Sequence, residues 1–311
     1  MATRETVIGV DIGGTKIAAA AVREGQVLRR TVTPTPRDGG AVVVRAVADM
    51  VRSLAIETGG VRAVGVGAPG VVDAGTGTVL SATEVLPGWA GTQVTVELER
   101  RVGLPVVVDN DVRVMARAEI APAVAAGARD VLFVSVGTGV GGALARDGRI
   151  VRGPHGLAGE LAHLLVPTTG ATTCGCGRRD HLEAVASGPA IVAEYSRRSG
   201  VSVTDVREIV RRGTEGDETA TAVVTDAANL LGRVLAGLLS AIDADALVIG
   251  GGVAQIGDLF LEPMSSALRA EVLPGLRDLP VSRALLGTDA PLVGAAMLAA
   301  EQLGHAAEAV C

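Results

Sequence analysis

The chain repeats one local pattern twice, and this repeat constrains the fold more than any other feature. An apolar run at residues 7–10 is followed by Gly13-Gly14 and a second apolar run at 17–22. Residues 131–136 are followed in the same way by a glycine-rich run at 137–142 and by residues 143–145. Each copy has the pattern of a strand, a glycine turn and a second strand. We therefore predict a duplicated fold with two lobes around a cleft.

Strand and helix patterns alternate along the rest of the chain. Apolar spacing typical of helices occurs at residues 41–57, 94–102, 112–121, 220–242 and 292–302. Short runs typical of strands occur at residues 26–33, 61–66, 105–108 and 246–249. This alternation predicts an α/β fold in which ligands bind at the carboxyl ends of the strands.

The two copies of the pattern suggest where the lobes divide. We predict a small N-terminal lobe of residues 1–111, completed by the C-terminal helix at 292–311, and a large lobe of residues 112–291. The large lobe contains a loop at residues 153–183. This loop is longer than a simple connection between two secondary-structure elements. Loops of such length usually carry function.

Composition excludes several classes of protein. A hydrophobic content of 48% supports substantial cores, but no uninterrupted apolar run approaches the twenty or so residues of a membrane-spanning helix. Residues 1–5 lead into a strand without an apolar signal region, so we expect a cytoplasmic protein with no membrane partner. The net charge of −6 argues against broad nucleic-acid binding. Three cysteines are too few for a disulfide scaffold.

The first glycine turn carries residues that suit a phosphate site. It lies in the run Asp11-Ile12-Gly13-Gly14-Thr15-Lys16, which contains the only lysine of the chain. Adjacent glycines can adopt positive φ and let backbone N–H groups approach an anion closely. Thr15 and Lys16 add donors, and Asp11 can hold Mg²⁺ directly or through water. An ordinary β-hairpin turn that contains two glycines is the alternative.

Two further glycine runs follow apolar strands. Gly137-Thr138-Gly139 has the same position in the second copy of the pattern as Gly13-Gly14 has in the first. Together the two turns could grip one polyphosphate, although two ordinary hairpins would show the same pattern. A third run, Gly250-Gly251-Gly252, would let the backbone pack flat against a base or a ribose.

Asn110 and Asp111 follow the apolar run that ends at residue 108. An aspartate at the mouth of a cleft can accept the proton of an attacking hydroxyl, and the neighbouring amide can orient the substrate. An acid just before a helix can instead cap its backbone N–H groups, which is the commoner role. Both interpretations remain open from spacing alone.

Two histidines and two cysteines cluster within nineteen residues: His163, Cys174, Cys176 and His181. Four nitrogen and sulfur ligands suit tetrahedral Zn²⁺, which would hold together a long loop. The alternative is a polar loop with unrelated thiols, and the Cys-x-Cys spacing differs from that of common zinc fingers. Glu160 and Glu183 flank the cluster and could accept hydrogen bonds from sugar hydroxyls.

Taken together, these motifs resemble the ROK family of sugar kinases, specifically its glucokinase-like branch. The resemblance covers essentially the whole chain. The run from Asp11 to Lys16 resembles the first phosphate motif of that family, the run from Gly137 to Gly142 the second, and Gly250-Gly251-Gly252-Val253 the adenosine motif. Gly159-Glu160-Leu161-Ala162-His163 and the segment from Cys174 to Glu183 resemble its sugar-binding and zinc signatures.

The resemblance implies a fold and an activity. The fold would be the actin-like ATPase (ribonuclease H-like) fold, with a duplicated mixed sheet and an inter-lobe cleft. The activity would be transfer of the γ-phosphate of ATP to the 6-hydroxyl of glucose or a similar hexose. ATP, Mg²⁺ and structural Zn²⁺ would be the cofactors, and family members commonly form homodimers.

The resemblance also implies residue roles. Asp111 would be the general base, and Asn110, Glu160, His163 and Glu183 would hold the other sugar hydroxyls. His163 would also bind zinc with Cys174, Cys176 and His181. The phosphate-binding and nucleotide-binding residues would be Asp11, Gly13, Gly14, Thr15, Lys16, Gly137, Thr138, Gly139, Gly251 and Gly252.

The chain departs from the family pattern at several positions. His181 replaces the third cysteine of the zinc signature and Asp180 the glycine before it; Val112-Arg113 follows Asp111 where Ala-Asn is frequent. Val85 stands where an asparagine is common, beside Glu84, which suggests an amino sugar as substrate. The alternatives are therefore an aminohexose 6-kinase of the kanosamine or N-acetylmannosamine type and, in another class, a sugar-sensing regulator. A regulator would need a DNA-binding domain before residue 11.

Overall fold

The structure, a computed structural model, describes residues 5–82, 86–167 and 172–308. Contacts divide the chain into two units of similar size. Unit 1 contains Met1–Ala121, Arg152–Leu157 and Leu285–Cys311, and unit 2 contains Pro122–Val151 and Ala158–Ala284. The first segment of unit 1 ends ten residues after the lobe boundary that we predicted at residue 111. The short segment 152–157 belongs to unit 1, although the residues before and after it belong to unit 2.

Unit 1 is built on a five-stranded mixed sheet. Its elements are β1 (Thr6–Ile12), β2 (Lys16–Arg23), β3 (Gln26–Pro34), α1 (Gly40–Thr58), β4 (Val61–Ala68), β5 (Val71–Asp73), β6 (Thr78–Ser81), α2 (Val94–Val102), β7 (Val106–Asn110) and α3 (Asp111–Glu119). The strand order is β3-β2-β1-β4-β7, with β5 and β6 forming a separate hairpin. β1, β4 and β7 run parallel, whereas β2 is antiparallel to both of its neighbours.

Unit 2 repeats this arrangement. Its elements are α4 (Ala121–Ala125), β8 (Val131–Val136), β9 (Val140–Arg146), β10 (Arg149–Val151), α5 (Glu183–Ala186), α6 (Gly188–Ser199), α7 (Val206–Thr214), α8 (Glu218–Ile242), β11 (Ala246–Gly250), α9 (Asp258–Glu271) and β12 (Val281–Arg283). The order β10-β9-β8-β11-β12 corresponds strand for strand to that of unit 1, and β8, β11 and β12 are parallel. The predicted duplicated α/β fold with mixed sheets is confirmed.

The last helix, α10 (Ala290–Glu308), belongs to unit 1 and packs against β1, β4 and α3. Two glycines in the sheet make this close approach possible. A Cβ atom on Gly9 would overlap the carbonyl of Leu292, and one on Gly65 would overlap that of Ala295. The same packing explains why α3 belongs to unit 1, because α10 covers it as well as the sheet.

The long helix α8 forms part of the core of unit 2. By length and composition alone it could cross a membrane, but half of its most apolar stretch is buried in the unit. It packs against α6, α7 and α9, and Asp226 and Arg233 interrupt its apolar sequence. One buried face and one polar face are typical of a core helix, which is how we interpret α8.

Candidate active site

The first glycine turn joins β1 to β2 and is fixed by backbone contacts. Gly13 N–H donates to the carbonyl of Lys16 at 3.0 Å, and the Thr35 hydroxyl donates to the carbonyl of Gly13 at 2.6 Å. Gly13 and Gly14, both among the described residues, lie outside the left-handed region, so positive φ is not the reason for glycine here. A Cβ atom on Gly13 would lie 2.9 Å from the Lys16 carbonyl oxygen, so close packing is the reason. The side chains of Thr15 and Lys16 are exposed at the turn.

Asp11 lies near the end of β1, beside this turn. Burial raises the pKa of its carboxyl group to about 6, against the opposing effects of Lys16 and Arg30. Burial makes it unfavourable to ionise this carboxyl group while no cation is bound. A cation bound next to it would stabilise the ionised form. Hard oxygen ligands suit Mg²⁺, so the residues at this turn fit a magnesium–phosphate site.

The second glycine turn joins β8 to β9 and lies against a carboxylate. Glu183 Oε2 accepts a hydrogen bond from Val140 N–H at 3.2 Å, and a Cβ atom on Gly139 would lie 2.5 Å from the same oxygen. Gly137 and Gly139 also lie outside the left-handed region in the part of the chain that the structure describes. Glycine at 139 therefore makes room for Glu183, a requirement that the sequence pattern does not reveal.

A cavity of about 530 Å³ opens beside this turn within unit 2. Its lining includes Gly137, Thr138, Gly188, Arg207, Gly252 and Val253. Gly251 has a φ of 88°, and a Cβ atom there would overlap the Val136 backbone, so this position requires glycine. The cavity volume lies within the usual range for small-molecule sites. Gly252, the last glycine of the run at 250–252, therefore lines a cavity next to the second glycine turn, as an adenosine motif would.

Asn110 and Asp111 lie at the junction of β7 and α3. The N-cap of α3 is Asn110, whose Oδ1 accepts hydrogen bonds from Val112 N–H at 3.0 Å and Arg113 N–H at 3.2 Å. Its Nδ2 donates to Gly70 O at 3.1 Å and to Asp111 Oδ1 at 2.9 Å. The N-cap position therefore belongs to Asn110, although Asp111 Oδ1 also accepts a hydrogen bond from Val112 N–H at 2.9 Å. Both polar atoms of the Asn110 amide therefore already form hydrogen bonds within the protein. This arrangement favours a role in positioning Asp111 over a direct hydrogen bond to a sugar hydroxyl.

The register of the unit 1 sheet aligns the acidic residues along one edge. Asp11 pairs with Gly67 on β4, and Gly67 pairs with Asp109 on β7. These strands are parallel, so their carboxyl ends share an edge, and Asp111 follows two residues after this row. Neighbouring strands lie about 4.8 Å apart, so roughly 10 Å separates the backbones of Asp11 and Asp109. One edge thus carries the candidate magnesium ligand and the candidate base.

His163, Cys174, Cys176 and His181 converge as the sequence predicts. Their candidate ligand atoms all lie within 4.8 Å of one another. The Nδ1 atoms of His163 and His181 are 3.2 Å apart, and Cys176 Sγ is 3.3 Å from His181 Nδ1. Tetrahedral zinc bonds place two nitrogen ligands about 3.3 Å apart and a nitrogen and a sulfur about 3.6 Å apart. The donor set and its spacing therefore fit Zn²⁺.

The loop around the cluster is shaped for these side chains. His181 is buried and its backbone bridges to Leu165, while Cys174 N–H donates to the Arg178 carbonyl at 2.8 Å. Asp180, which stands where the family has glycine, has a φ of 59°. Aspartate tolerates this left-handed conformation better than most residues. Burial raises the pKa of the Cys174 thiol; a backbone hydrogen bond from Cys176 opposes this shift, whereas the Cys176 side chain and the charge of Glu183 add to it.

Glu160 and His163 lie at a short 3₁₀ turn, Leu161–His163, that packs against β9. Gly159 has a φ of 91°, and a Cβ atom there would lie 2.5 Å from the Gly142 carbonyl oxygen. Glu160 is half-buried and His163 is exposed. Glu160, His163 and Glu183 therefore all lie on segments of unit 2 that adjoin the second glycine turn or the metal cluster.

Known proteins match the chain over almost its full length. The ROK family model matches residues 7–302. The chain belongs to the ROK family.

The relatives of this ROK chain include kinases for different sugars. A glucokinase of Halalkalibacterium halodurans is 32% identical, with 95% of each chain covered. An N-acetylmannosamine kinase of Salmonella heidelberg is 33% identical, with 94% of this chain and 98% of the relative covered. A ROK glucokinase of Streptomyces griseus, solved with glucose and AMPPNP, is 35% identical with a TM-score of 0.83, covering 95% of this chain and 99% of that one. The predicted ROK membership, on the glucokinase-like branch, is confirmed, as is the actin-like ATPase fold.

One ionic cluster in this ROK protein was not predicted from its sequence. Buried Asp109 and Arg113 form an ionic group with the partly exposed Arg152 at the β7–α3 junction, although Arg152 is 43 residues from Asp109. The available signal was an aspartate at the end of a strand and an arginine just inside a helix. Neither identifies a partner so distant in sequence. Glu84 and Val85, on which the amino-sugar hypothesis depends, lie outside the described residues.

Proposed function

We propose that this chain is an ATP-dependent sugar kinase that transfers the γ-phosphate to the 6-hydroxyl of glucose or a glucose-like hexose. One observation carries the proposal. Asp111 is held by Asn110 at the carboxyl edge of the unit 1 sheet, and the same edge carries Asp11 and its glycine turn. The kinase names of its relatives support the same activity.

In the proposed mechanism, phosphoryl transfer depends on positioning and charge neutralisation. Asp111 accepts the proton of the 6-hydroxyl as that oxygen bonds to the γ-phosphorus, the bond from the γ-phosphorus to the β–γ bridging oxygen breaks, and ADP leaves. Asn110 Nδ2 holds the carboxylate by donating a hydrogen bond to Asp111 Oδ1. Lys16 and the backbone N–H groups of the first glycine turn bind phosphate oxygens, while the turn at 137–139 and its cavity accept the nucleotide. Mg²⁺ bound at Asp11 would neutralise phosphate charge. Glu160, His163 and Glu183 hold the remaining hydroxyls.

A coupled assay against hexoses and aminohexoses tests the proposal. We expect ATP-dependent phosphorylation of glucose well above the background measured without sugar, with a 6-phosphate product identified by NMR. An aminohexose as best substrate would favour the alternative supported by the N-acetylmannosamine kinase relative. Specificity can reach about 10⁴-fold through one buried polar contact, so a panel of sugars is needed. No turnover with any sugar would contradict the kinase proposal and favour a sugar-sensing regulator.

We also propose structural Zn²⁺ bound by His163, Cys174, Cys176 and His181. Purified protein is expected to contain about one zinc per chain by mass spectrometry, and Cys176→Ser or His181→Ala to lose it and melt at lower temperature. His181→Cys should keep the metal, because it restores the family signature. Exposed His155→Ala is the control for the histidine substitution. Full zinc retention in both Cys176→Ser and His181→Ala would contradict this site.

The remaining features of the proposal concern the protein in the cell. We propose a cytoplasmic homodimer that acts on sugar and ATP without a nucleic-acid or membrane partner. The acidic net charge of −6 supports the absence of nucleic-acid binding. Light scattering on purified protein measures the oligomeric state directly.

A further inference from the structure

Arg152 lies on a short segment that belongs to unit 1, although the chain on both sides of it belongs to unit 2. We propose that Arg152 is a positioning residue for phosphoryl transfer. It acts through the buried carboxylate of Asp109 and thereby fixes the junction of β7 and α3 that presents Asp111. The inference rests on the proposed function of Asp111 as the base.

The contact between Arg152 and Asp109 is close, and the Asp109 carboxylate is buried although the Arg152 side chain is 39% exposed. Asp109 is 1% exposed; its Oδ2 accepts a hydrogen bond from Arg152 Nε at 2.8 Å and lies 2.7 Å from Arg152 Nη2. Its Oδ1 accepts a hydrogen bond from Asn110 N–H at 2.9 Å. One carboxylate therefore connects Arg152 to the backbone of the residue that caps α3 and holds Asp111. Charge-assisted hydrogen bonds of this kind are the strongest in proteins.

A second contact ties the other side of the junction to the same segment. Arg113, whose side chain is 2% exposed, follows Asp111 by two residues, and its Nη2 donates to the Gly156 carbonyl. Arg113 Nη1 lies 3.7 Å from Asp109 Oδ1. The segment Arg152–Leu157 is thus bound to the chain two residues before Asp111 and two residues after it. Asp111 therefore lies between Asp109 and Arg113, the two residues that contact this segment.

Polar contacts are the main attachment of this segment. Residues 153–155 are exposed, and Leu157 is 50% exposed, so the segment buries little apolar surface of its own. Gly153 and Gly156 have φ values of 73° and 67°, which turn the chain at each side of this exposed stretch. Loss of the Arg152 contact would therefore remove the side-chain connection between this segment and Asp109, while the backbone pairing of β7 with β4 remains.

The consequence for catalysis follows from the distance requirements of the reaction. The reacting atoms must lie about 3–3.5 Å apart, and a displacement of about 1 Å can cost on the order of 10²-fold in rate. A junction that has lost this side-chain contact would hold Asp111 less accurately relative to the hydroxyl. Because neither Arg152 nor Asp109 lies at the glycine turns, nucleotide binding should change little.

Steady-state kinetics of Arg152→Met, Asp109→Asn and the double variant test the inference, at a temperature at which thermal denaturation shows all of them folded. We expect kcat to fall about 10- to 100-fold in each single variant, while KM for ATP stays within about threefold. The double variant should lose no more than the worse single one, because both substitutions break the same connection. Arg152→Lys should recover part of kcat. Exposed Arg149→Met on β10 is the control and should match the wild type.

Two sets of results would overturn the inference. The first is that Arg152→Met keeps the wild-type kcat. The second is that the fold-decrease in kcat of the double variant equals the product of the fold-decreases in the two single variants. Asp111→Asn in the same assay separates this failure from failure of the proposed function. If Asp111→Asn is inactive and Arg152→Met has the wild-type kcat, the role of Asp111 as the base is supported and the positioning role of Arg152 is wrong. If Asp111→Asn is active, the proposed base itself is wrong.

Discussion

Asp111→Asn is expected to lower kcat by about 10²–10⁴-fold, because an amide cannot accept the proton of the attacking hydroxyl. The substitution should leave the junction intact. The asparagine Oδ1 can still accept the hydrogen bonds that Asp111 Oδ1 accepts from Asn110 Nδ2 at 2.9 Å and Val112 N–H at 2.9 Å. KM for ATP should therefore change little. Initial rates with saturating ATP and glucose provide the measurement.

Asp49→Asn is the matched control for this substitution. Asp49 is an exposed helical aspartate of unit 1 that pairs with Arg52 on the same helix. It should keep wild-type kcat. A loss smaller than about tenfold in Asp111→Asn would show that another group, or water, takes the proton.

Asp11→Asn is expected to stabilise the protein without ligands and to abolish most of its activity. The pKa of Asp11 is raised from 3.8 to about 6 by burial, so the folded state holds its proton to higher pH than the unfolded state does. As pH rises from about 4 to above 6, ionisation increasingly favours the unfolded state. At pH 7.5 the neutral amide should be more stable by up to about 3 kcal/mol, and at pH 5 by about half as much.

Thermal denaturation of both proteins between pH 5 and 7.5 measures this difference. The melting-temperature gain of Asp11→Asn should increase with pH over this range, whereas exposed Asp38→Asn, the control, should show no such trend. In the kinase assay, loss of the proposed Mg²⁺ ligand should cost on the order of 10²-fold or more. A gain in stability that is constant with pH would contradict the buried-carboxylate explanation.

The sequence predicted those parts of the candidate site whose residues lie close together along the chain. The metal cluster is contained within nineteen residues, so spacing and residue type were sufficient to find it, and its four ligand atoms converge. The two glycine turns follow apolar strands, and the structure places both at strand ends. Asn110 and Asp111 were located by the strand that precedes them, but only the structure showed that Asn110 occupies the N-cap position of α3.

The physical reasons for several residues lie in contacts that sequence spacing does not encode. Glycine at 139 is required by the carboxylate of Glu183, and glycine at 13 by the carbonyl of Lys16. Positive φ, the usual explanation for glycine in a turn, applies to neither. The predicted secondary structure also omitted every helix between residues 143 and 220, where α5, α6 and α7 lie. These short helices lack the long apolar periodicity that revealed α1 and α8.

By itself, the sequence determined the duplicated α/β architecture, the family and the types of chemical group in the candidate site. Periodicity, glycine turns and ligand spacing are local properties, which short stretches of chain record. Only the tertiary structure decided that residues 152–157 join unit 1 and that Arg152 meets Asp109. That contact joins two segments distant in sequence, because the folded chain places the buried Asp109 carboxylate beside a guanidinium that compensates its charge, which neither segment specifies alone.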